Sequence, residues 1–324
     1  MSGKYTMTQV INVSALEDLA QYNVRNVFLA IGFFDGVHLG HRKLLSELVE
    51  AAKKVDAVPV VMTFFPHPRQ ILHPGRHPVL LLPPLRKVEL LHEYGARAVV
   101  TLNFNEEFAA LEPEEFLHQC LDCDDVALKG ICVGSNWHFG AKGKGDAELL
   151  RNYADAGHFE FRSVSELTLD DGRVVSSTAI RRAVAAGRLD DAEKMLGRRY
   201  HLCGDIISGH GVAGSELAHP TANVEVEFGV MPPAGVYAAR AHLNGESYMA
   251  AVDIGVSPTY DRPEDRDGRV EAFLLNFCGS IRGSYIEIEP VKWIREERCF
   301  ASPADLRAQI CADVMQIKQF FSKS

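Results

Sequence analysis

The sequence lacks the long apolar runs of a membrane protein. No run reaches the roughly 18 residues of a spanning helix, and MSGKYTMTQV does not have the charged-then-apolar layout of a signal peptide. Positive charge is also scarce, because 34 Lys and Arg face 43 Asp and Glu, for a formal net charge of −9. This deficit argues against non-specific attraction to nucleic acid or to an anionic membrane. Any phosphate must therefore be bound by a local site.

The seven cysteines do not indicate a disulfide scaffold. Their number is odd in a chain of 324 residues, so we expect reduced thiols and a cytoplasmic protein. Cys120 and Cys123 have the spacing of redox and zinc sites, but no second ligand pair follows nearby. We place the two on one face of a helix and interpret them as ordinary core or surface cysteines.

Strands and helices alternate through the first part of the chain. RNVFLAIG, AVPVVMTFF, ARAVVTLNF and VALKGICVG are predicted strands, and HRKLLSELVEAAKKV, PLRKVELLHEYG, EPEEFLHQCL and GDAELLRNYADAG are predicted helices. This order predicts an α/β domain with a mostly parallel sheet and right-handed crossovers. The Pro-rich stretch PHPRQILHPGRHP is expected to be a loop. Ligands of such sheets bind beyond the carboxyl ends of the strands, where His38, PHP at 66–68 and GSNWHFG at 134–140 fall.

The pattern changes near residue 199 to short strands separated by Gly, Pro and Asn turns. Examples are GVYAARAHLNGESYMAAVDIG, VEAFLLNF and SYIEIEPVKWI. We predict a small antiparallel barrel, closed by a terminal helix for which Ser302 is a good N-cap. The boundary falls between about 185 and 200, close to two short helices, STAIRRAVAAG and LDDAEKMLG. We take the domains as 1–187 and 188–324.

The stretch IGFFDGVHLGHRKLL, residues 31–45, places His38 and His41 where an apolar strand gives way to a helix. A helix N-terminus presents unpaired N–H groups and partial positive charge, so it attracts phosphate. Gly36 and Gly40 let the backbone approach closely, and both imidazoles can donate to phosphate oxygens. This predicts a nucleoside triphosphate over the helix start, with a nucleophile from the second substrate aligned on the α-phosphorus. Zinc binding by the pair is the alternative, although no third ligand is evident.

SSTAIR, residues 176–181, opens a helix far downstream. Hydroxyls, helix N–H groups and a guanidinium one turn later suit a triphosphate tail. The simpler interpretation is a plain Ser/Thr cap followed by a solvated arginine.

Taken together, these motifs resemble those of the bacterial bifunctional riboflavin kinase/FAD synthetase (FMN adenylyltransferase) family. GFFDGVHLGH and SSTAIRRAVAAGRLDDAEKMLGRRY carry the resemblance, with TFFPHP, FNEEFAALEPEEFL and VGSNWHFG between them. Downstream, PTAN at 220–223, PAGVYAA at 233–239 and VEAFLLNF at 270–277 are similar to the kinase part. The resemblance covers nearly the whole chain and implies a Rossmann-like nucleotidyltransferase domain followed by a β-barrel riboflavin kinase domain.

The resemblance implies roles for residues of the first domain. His38 and His41 would bind and polarise the phosphates of ATP, and Arg181 would hold the phosphates that leave. The other residues implied in ATP and phosphate binding are Gly32, Phe34, Asp35, Gly36, Gly40, Asn136, Ser176, Ser177 and Thr178. Those implied on the flavin side are Phe64, Pro66, His67 and Pro68, where apolar and aromatic groups suit a flat ring.

In the second domain Glu271 resembles the general base that takes the proton of riboflavin's terminal hydroxyl. Thr221 and Asn223 offer oxygens to a magnesium ion. From the residues alone, PTAN is an ordinary loop and Glu271 a solvated strand residue. The expected partners are riboflavin, FMN and ATP, with Mg²⁺ held largely by ATP and water, and with no nucleic acid or membrane. The sequence leaves the oligomeric state open.

The chain departs from the family's usual pattern mainly before PTAN, where it reads SELAH. Glu216 stands where a guanidinium is usual and would repel phosphate, and Ala218 replaces a glycine. Asn276 stands where an aspartate is common, and NWHFG lies where an arginine is frequent. Two alternatives therefore accompany the bifunctional enzyme: an FAD synthetase whose kinase domain is impaired or only binds flavin, and a catalytically dead flavin-binding regulator.

Overall fold

The computed structural model describes residues 10–73, 75, 79–207, 221–256, 268–277, 279, 281, 283–298 and 300–322. The chain divides into two compact units, residues 1–78 with 84–176 and residues 79–83 with 177–324. The domain boundary predicted between residues 187 and 188 stays a prediction, because compactness alone does not define a folding domain. No helix in the described ranges is both long enough and apolar enough to cross a membrane.

The first unit is a parallel sheet with helices. Its described strands are β1 (Ile11–Val13), β2 (Asn26–Ile31), β3 (Val58–Phe65), β4 (Ala98–Asn103), β5 (Ala127–Gly134) and β6 (Glu160–Val164). Its described α-helices are α1 (Leu39–Lys54), α2 (Pro68–Leu72), α3 (Pro84–Glu93), α4 (Glu106–Ala110), α5 (Pro113–Leu121) and α6 (Ala147–Gly157). Short 3₁₀ helices cover Glu17–Tyr22 and Ala141–Gly143.

The strand order β1-β4-β3-β2-β5-β6 explains where a ligand would bind in this unit. Each pairing in the sheet is parallel. The chain leaves β2 for β3 on one side and later returns to add β5 on the other side. The carboxyl end of β2 is therefore a topological switch point, where sheets of this kind leave a crevice.

The local sequence accounts for most of these elements. β2 is buried at five successive positions after Asn26, as expected of a central parallel strand covered on both faces. The α/β fold predicted from alternation is confirmed. Two predictions were wrong: the Pro-rich stretch contains α2, and Cys123 does not share a helix with Cys120, because α5 ends at Leu121.

The second unit is a closed antiparallel barrel with helices before and after it. The elements are α7 (Ser177–Ala185), α8 (Leu189–Leu196), β7 (Leu202–Ile207), β8 (Thr221–Phe228), β9 (Gly235–Leu243), β10 (Glu246–Val256), β11 (Gly268–Leu274), β12 (Tyr285–Arg295) and α9 (Pro303–Phe321). The barrel order is β10-β11-β8-β7-β12-β9. The barrel and the terminal helix predicted from the sequence are confirmed.

Turn and cap chemistry fixes the ends of the barrel elements. The β9–β10 hairpin turns at Asn244 and Gly245, with φ of 53° and 83°, as a tight hairpin turn with two left-handed residues requires. Ser302 caps α9 as predicted, because its Oγ accepts a hydrogen bond from the Asp305 N–H at 3.2 Å. Arg295 at the end of β12 forms a bidentate ion pair with the buried Asp313 of α9. This pair ties the terminal helix to the barrel.

Candidate active sites

The turn between β2 and α1 has an unusual backbone. Phe34, Gly36 and Val37 have φ of 54°, 82° and 37°. Glycine adopts such values freely, but a β-branched residue such as Val37 does so only at a cost of about 1–3 kcal/mol. The surroundings hold the turn in place, because Phe34 and Val37 are buried and the Val37 N–H donates to the Phe34 carbonyl at 3.1 Å. A strained, buried turn at a switch point is a candidate ligand site.

His38 and His41 come together at the N-terminus of α1. Their rings stack, with centroids 3.6 Å apart and planes at 16°. His38 is the N-cap residue, and its Nδ1 accepts a hydrogen bond from the His41 N–H at 3.3 Å. That nitrogen therefore carries no proton, and the neutral His38 ring is protonated at Nε2. The Nε2–H of His38 is then a hydrogen-bond donor that a phosphate oxygen could accept.

Gly40 makes the stacking possible. A Cβ at this position would lie 3.2 Å from Nδ1 and Cε1 of the His38 ring, which is tighter than ordinary contact. The glycine therefore leaves room for the imidazole over the first turn of α1. The buried Asp35 also belongs to this turn, and Gly32 begins it.

A row of aromatic rings runs along the carboxyl ends of β3, β4 and β5. Successive rings in the row have centroids 4.8–6.2 Å apart, and the members are His67, Phe33, Phe64, Phe104, Phe108, Phe116, Phe139 and Trp137. Phe33 stands next to the histidine turn, so the row begins beside that turn. Phe64, Phe116 and Phe139 are buried in the core. The remaining rings of the row are half-buried, and such partly exposed aromatic groups suit a flat aromatic ligand.

The predicted flavin-side residues lie where β3 gives way to α2. Phe64 and Pro68 are buried, and Pro66 and His67 are half-buried. His67 caps α2: its Nδ1 accepts from the Arg69 N–H at 3.1 Å, while Gln70 accepts from the His67 N–H at 2.9 Å. His67 also stacks on Phe33 with centroids 5.2 Å apart. Its capping role fixes the ring, and a contact with flavin stays a prediction.

Asn136 lies on an exposed turn after β5. Its amide donates to Glu166 at 2.9 Å, and its carbonyl contacts His138 Nδ1 at 3.0 Å. Trp137 between them stacks on Phe139 with planes at 14°. Asn136 and His138 are exposed, so both side chains are accessible to a ligand, and the predicted contact with ATP stays a prediction.

The predicted helix start at SSTAIR is present. α7 begins at Ser177, directly after Ser176, and Thr178 is exposed on its first turn. Arg181 Nε donates to the Val79 carbonyl at 2.7 Å. Ser177, Thr178 and Arg181 belong to the second unit. Their predicted part in binding the phosphates of ATP stays a prediction.

Lys87 was not singled out from the sequence, where it reads as one polar residue of an amphipathic helix. It lies on α3 with an exposed fraction of 8%, and its Nζ donates to Thr63 Oγ1 at 3.0 Å and to the Phe33 carbonyl at 3.4 Å. Burial lowers its pKa from 10.5 to about 8, although attraction to Asp35 opposes this shift. A buried ammonium beside the histidine turn could have been found only from the fold.

The predicted kinase residues meet on the barrel. Glu271 of β11 pairs directly with Asn223 of β8 on one side and with Asp253 of β10 on the other. Residues directly opposite in adjacent antiparallel strands point to the same face. The interior positions between them, such as Ala222 and Val252, are fully buried, so the three polar residues lie on the outer face. Thr221 begins β8, and its side chain lies outside the described residues.

Arg269 links the acidic groups of this face. Its guanidinium lies 3.7 Å from Glu271, 3.5 Å from Asp253 and 2.6 Å from Glu297. Gly255 is directly opposite Arg269, and a Cβ there would approach Glu297 Oε1 to 3.0 Å. The missing side chain therefore leaves space for this ion pair.

Asp253 was also missed by the sequence analysis. Its Oδ1 is buried without a hydrogen-bond partner among the described residues. Burial, together with the nearby charge of Glu297, raises the pKa of Asp253 from 3.8 to about 6, and Arg269 only partly offsets this. The register that places Asp253 beside Glu271 cannot be read from the separate strands.

The described residues offer few donors for a metal ion. No group of three or more His, Cys, Asp or Glu able to hold a metal ion occurs within the described ranges. His38 and His41 are not part of any such group, so the described residues do not support the zinc alternative. The amide oxygen of Asn223 beside Glu271 is a hard donor that fits Mg²⁺, which usually takes one or two protein oxygens together with phosphates and water.

Comparison with known families defines two transferase units. The profile of the FAD synthetase family matches residues 20–179, and that of the riboflavin kinase family matches residues 196–321. The first match covers the sheet with the histidine turn, and the second covers the barrel with Glu271.

Curated relatives match over nearly the whole chain. A bifunctional riboflavin kinase/FMN adenylyltransferase of Escherichia coli (strain K12) is 34% identical over 312 residues, which are 95% of this chain and 97% of the relative. The enzyme of the same name from Bacillus subtilis (strain 168) is 33% identical over 296 residues, 91% of this chain and 92% of the relative. The chain belongs to the bifunctional riboflavin kinase/FMN adenylyltransferase family.

A solved structure supports the fold. The crystal structure titled as a macrolide-efflux protein from Streptococcus pneumoniae is similar with a TM-score of 0.81 and 28% identity, covering 95% of this chain and 99% of that one. Only the fold is carried over from this structure.

Proposed function

We propose that the barrel phosphorylates riboflavin to FMN and that the α/β unit adenylylates FMN to FAD with release of pyrophosphate. This extends to the chain the two activities in the names of its curated relatives. The order of the two family matches along the chain supports this proposal, because the FAD synthetase match covers the sheet and the riboflavin kinase match covers the barrel. The observation that carries the proposal is the stacked pair of His38 and His41 at the N-terminus of α1, at the switch point.

In the first reaction site, a phosphate oxygen of FMN attacks the α-phosphorus of ATP. The bond to the β-phosphate oxygen breaks, and pyrophosphate leaves. His38, His41 and the N–H groups of α1 would stabilise the charge that builds on the phosphates. The aromatic row beginning at Phe33 and His67 would receive the flavin ring. By the family resemblance alone, the departing phosphates would be bound by Arg181, Ser176, Ser177 and Thr178.

In the second site, the terminal hydroxyl of riboflavin attacks the γ-phosphorus of ATP, and ADP leaves. Glu271 would accept the hydroxyl proton, since its carboxylate is half-exposed at the barrel surface. Asn223 is directly opposite on β8 and would offer its oxygen to Mg²⁺, as Thr221 would from the start of that strand. The bound ion supplies charge neutralisation for the phosphates.

The departures from the family pattern bear on the kinase site. Residues 215–219, the SELAH stretch, lie outside the described residues. Asn276 is exposed and has φ of 61°. Asparagine and aspartate both tolerate this left-handed conformation, so the replacement keeps the turn after β11 and removes one negative charge. The alternative with an impaired kinase domain thus rests on Glu216 and Ala218.

Incubation with riboflavin, ATP and Mg²⁺, followed by chromatography of both flavin products, tests the assignment. We expect FMN to appear first and FAD to follow. Formation of FAD from supplied FMN only would favour the alternative with an impaired kinase. Tight flavin binding without either product would overturn the proposal in favour of a regulator. The cytoplasmic location and the oligomeric state are not needed for this assignment, and the location stays a prediction.

A further inference from the structure

Buried polar side chains concentrate at one place in the first unit. The buried polar or charged residues in the described ranges are Asp35, His38, Thr63, Lys87 and Asp313. Asp313 has its own partner in Arg295. The other four meet at the carboxyl ends of β2 and β3, around the turn that carries the histidine pair. The family motifs draw attention to His38 and Asp35 but give Lys87 no role.

The Lys87 side chain extends from α3 to this turn. Its Nζ donates to the hydroxyl of Thr63, and that hydroxyl donates in turn to the Phe33 carbonyl at 3.2 Å. Nζ also contacts the same carbonyl directly. Phe33 is the residue immediately before Phe34, where the backbone turns left-handed. One carbonyl at the entry to the strained turn thus receives two hydrogen bonds.

Core packing does not require a lysine at this position. The neighbouring buried residues of α3 are Val88, Leu90 and Leu91, and an apolar side chain would fill the position without burying an ammonium group. Burial disfavours the charged form, which is why the pKa of Lys87 falls to about 8. A buried charge retained at a cost in stability beside a reaction site indicates a role in that site.

We propose that Lys87 is a positioning residue for adenylyl transfer, which holds the Phe33–Val37 turn in shape and places a positive charge beneath the phosphates. It acts through the Phe33 carbonyl and Asp35, and it does not touch the reacting atoms. The proposal rests on the proposed function of the α/β unit. It adds a source of charge to the histidines and the α1 N-terminus, in a buried setting where charge interactions are weakly screened.

The test compares Lys87→Met with Lys53→Met in the full chain. Lys53 is exposed on α1, so the control makes the same chemical change away from the turn. We expect Lys87→Met to lower kcat/KM for FAD formation by about 10- to 100-fold, as loss of a charged hydrogen-bond donor would. Riboflavin phosphorylation by the same preparation should be unchanged. Thermal melting of both variants shows whether each is folded at the assay temperature, since Lys87→Met also takes a cation away from the buried Asp35.

A pH profile separates positioning from mere packing. Burial lowers the pKa of Lys87, and Asp35 is the charged group that opposes this shift. β3 contributes the neutral Thr63, and Arg86 of α3 pairs with Glu89 and Glu93. As pH rises from 7 to 9 the Lys87 ammonium loses its proton. The wild-type kcat/KM divided by that of Lys87→Met should therefore fall towards one above about pH 8. A ratio that stays constant across this range would contradict the proposal.

Other outcomes are equally decisive. Unchanged FAD formation by Lys87→Met, or equal losses of FAD formation and riboflavin phosphorylation, would overturn the positioning role. If Lys87→Met does not fold, Thr63→Val tests the same relay: it keeps the shape and removes the hydroxyl, and FAD formation should fall with riboflavin phosphorylation intact. Failure of the wild type to make FAD from FMN and ATP would instead refute the proposed function itself.

Discussion

Replacing Asp253 by asparagine should stabilise the barrel in a pH-dependent way. In the folded protein the pKa of Asp253 is raised from 3.8 to about 6 by burial and by Glu297. A difference of this size corresponds to about 3 kcal/mol. The side chain is 30% exposed, so solvent screening reduces the expected effect to about 1–2 kcal/mol. The asparagine side chain would keep the shape and remove the charge.

The sign follows from which form the fold prefers. Because the folded protein holds the Asp253 proton more tightly than the unfolded chain, wild-type stability falls as pH rises from 3.8 to about 6. Above about pH 6 the full cost is present. Asp253→Asn should therefore raise the free energy of unfolding only slightly near pH 4 and by about 1–2 kcal/mol at pH 7.5.

Tryptophan fluorescence can report this gain for the barrel alone. Of the two tryptophans in the chain, Trp293 is on β12 and Trp137 is in the first unit. Urea unfolding in a Trp137→Phe background, without magnesium, thus follows Trp293. Asp205→Asn, an exposed change on β7, is the matched control and should show no such gain. The reasoning would be refuted if Asp253→Asn were no more stable than its background at pH 7.5. It would also be refuted if the stability difference did not grow between pH 5 and 7.5.

Two further predictions concern the barrel. Glu271→Gln should lower riboflavin phosphorylation by about 100-fold or more and leave FAD formation from supplied FMN unchanged; an unaffected phosphorylation rate would remove Glu271 as the base. Arg295→Met should cost about 3–5 kcal/mol in urea unfolding, because it leaves Asp313, only 5% exposed, without its cation. The double variant Arg295→Met/Asp313→Leu should recover part of the lost unfolding free energy, because it no longer buries an unpaired carboxylate. If it recovers none, burial of the Asp313 charge is not the cause of the loss.

The sequence predicted the helices and strands better than it predicted which distant residues the fold places in contact. The turn holding His38 and His41 was found because a buried strand, two glycines and a helix start follow each other directly. Ser302 was found because an N-cap is a local signal. Cys123 was misplaced because α5 ends two residues earlier, after Leu121, and helix ends depend on packing as much as on local pattern.

The remaining site residues depend on distant parts of the chain. Asp253 and Asn223 flank Glu271 only because of the pairing register of three strands. Lys87 lies 54 positions from Phe33, whose carbonyl it contacts. A lysine on an amphipathic helix is normally solvated, and only the tertiary fold shows it buried. Such long-range arrangements leave no local signal in a single sequence.

The most direct test of the central claim supplies riboflavin, ATP and Mg²⁺ to His41→Ala and separates the flavin products. In the proposed function the two reactions take place at separate sites, and the stacked histidines serve only FAD formation. FMN should therefore accumulate at the wild-type rate while FAD formation falls by at least about 100-fold. FAD formation close to the wild-type rate, or equal loss of FMN and FAD, would contradict the account.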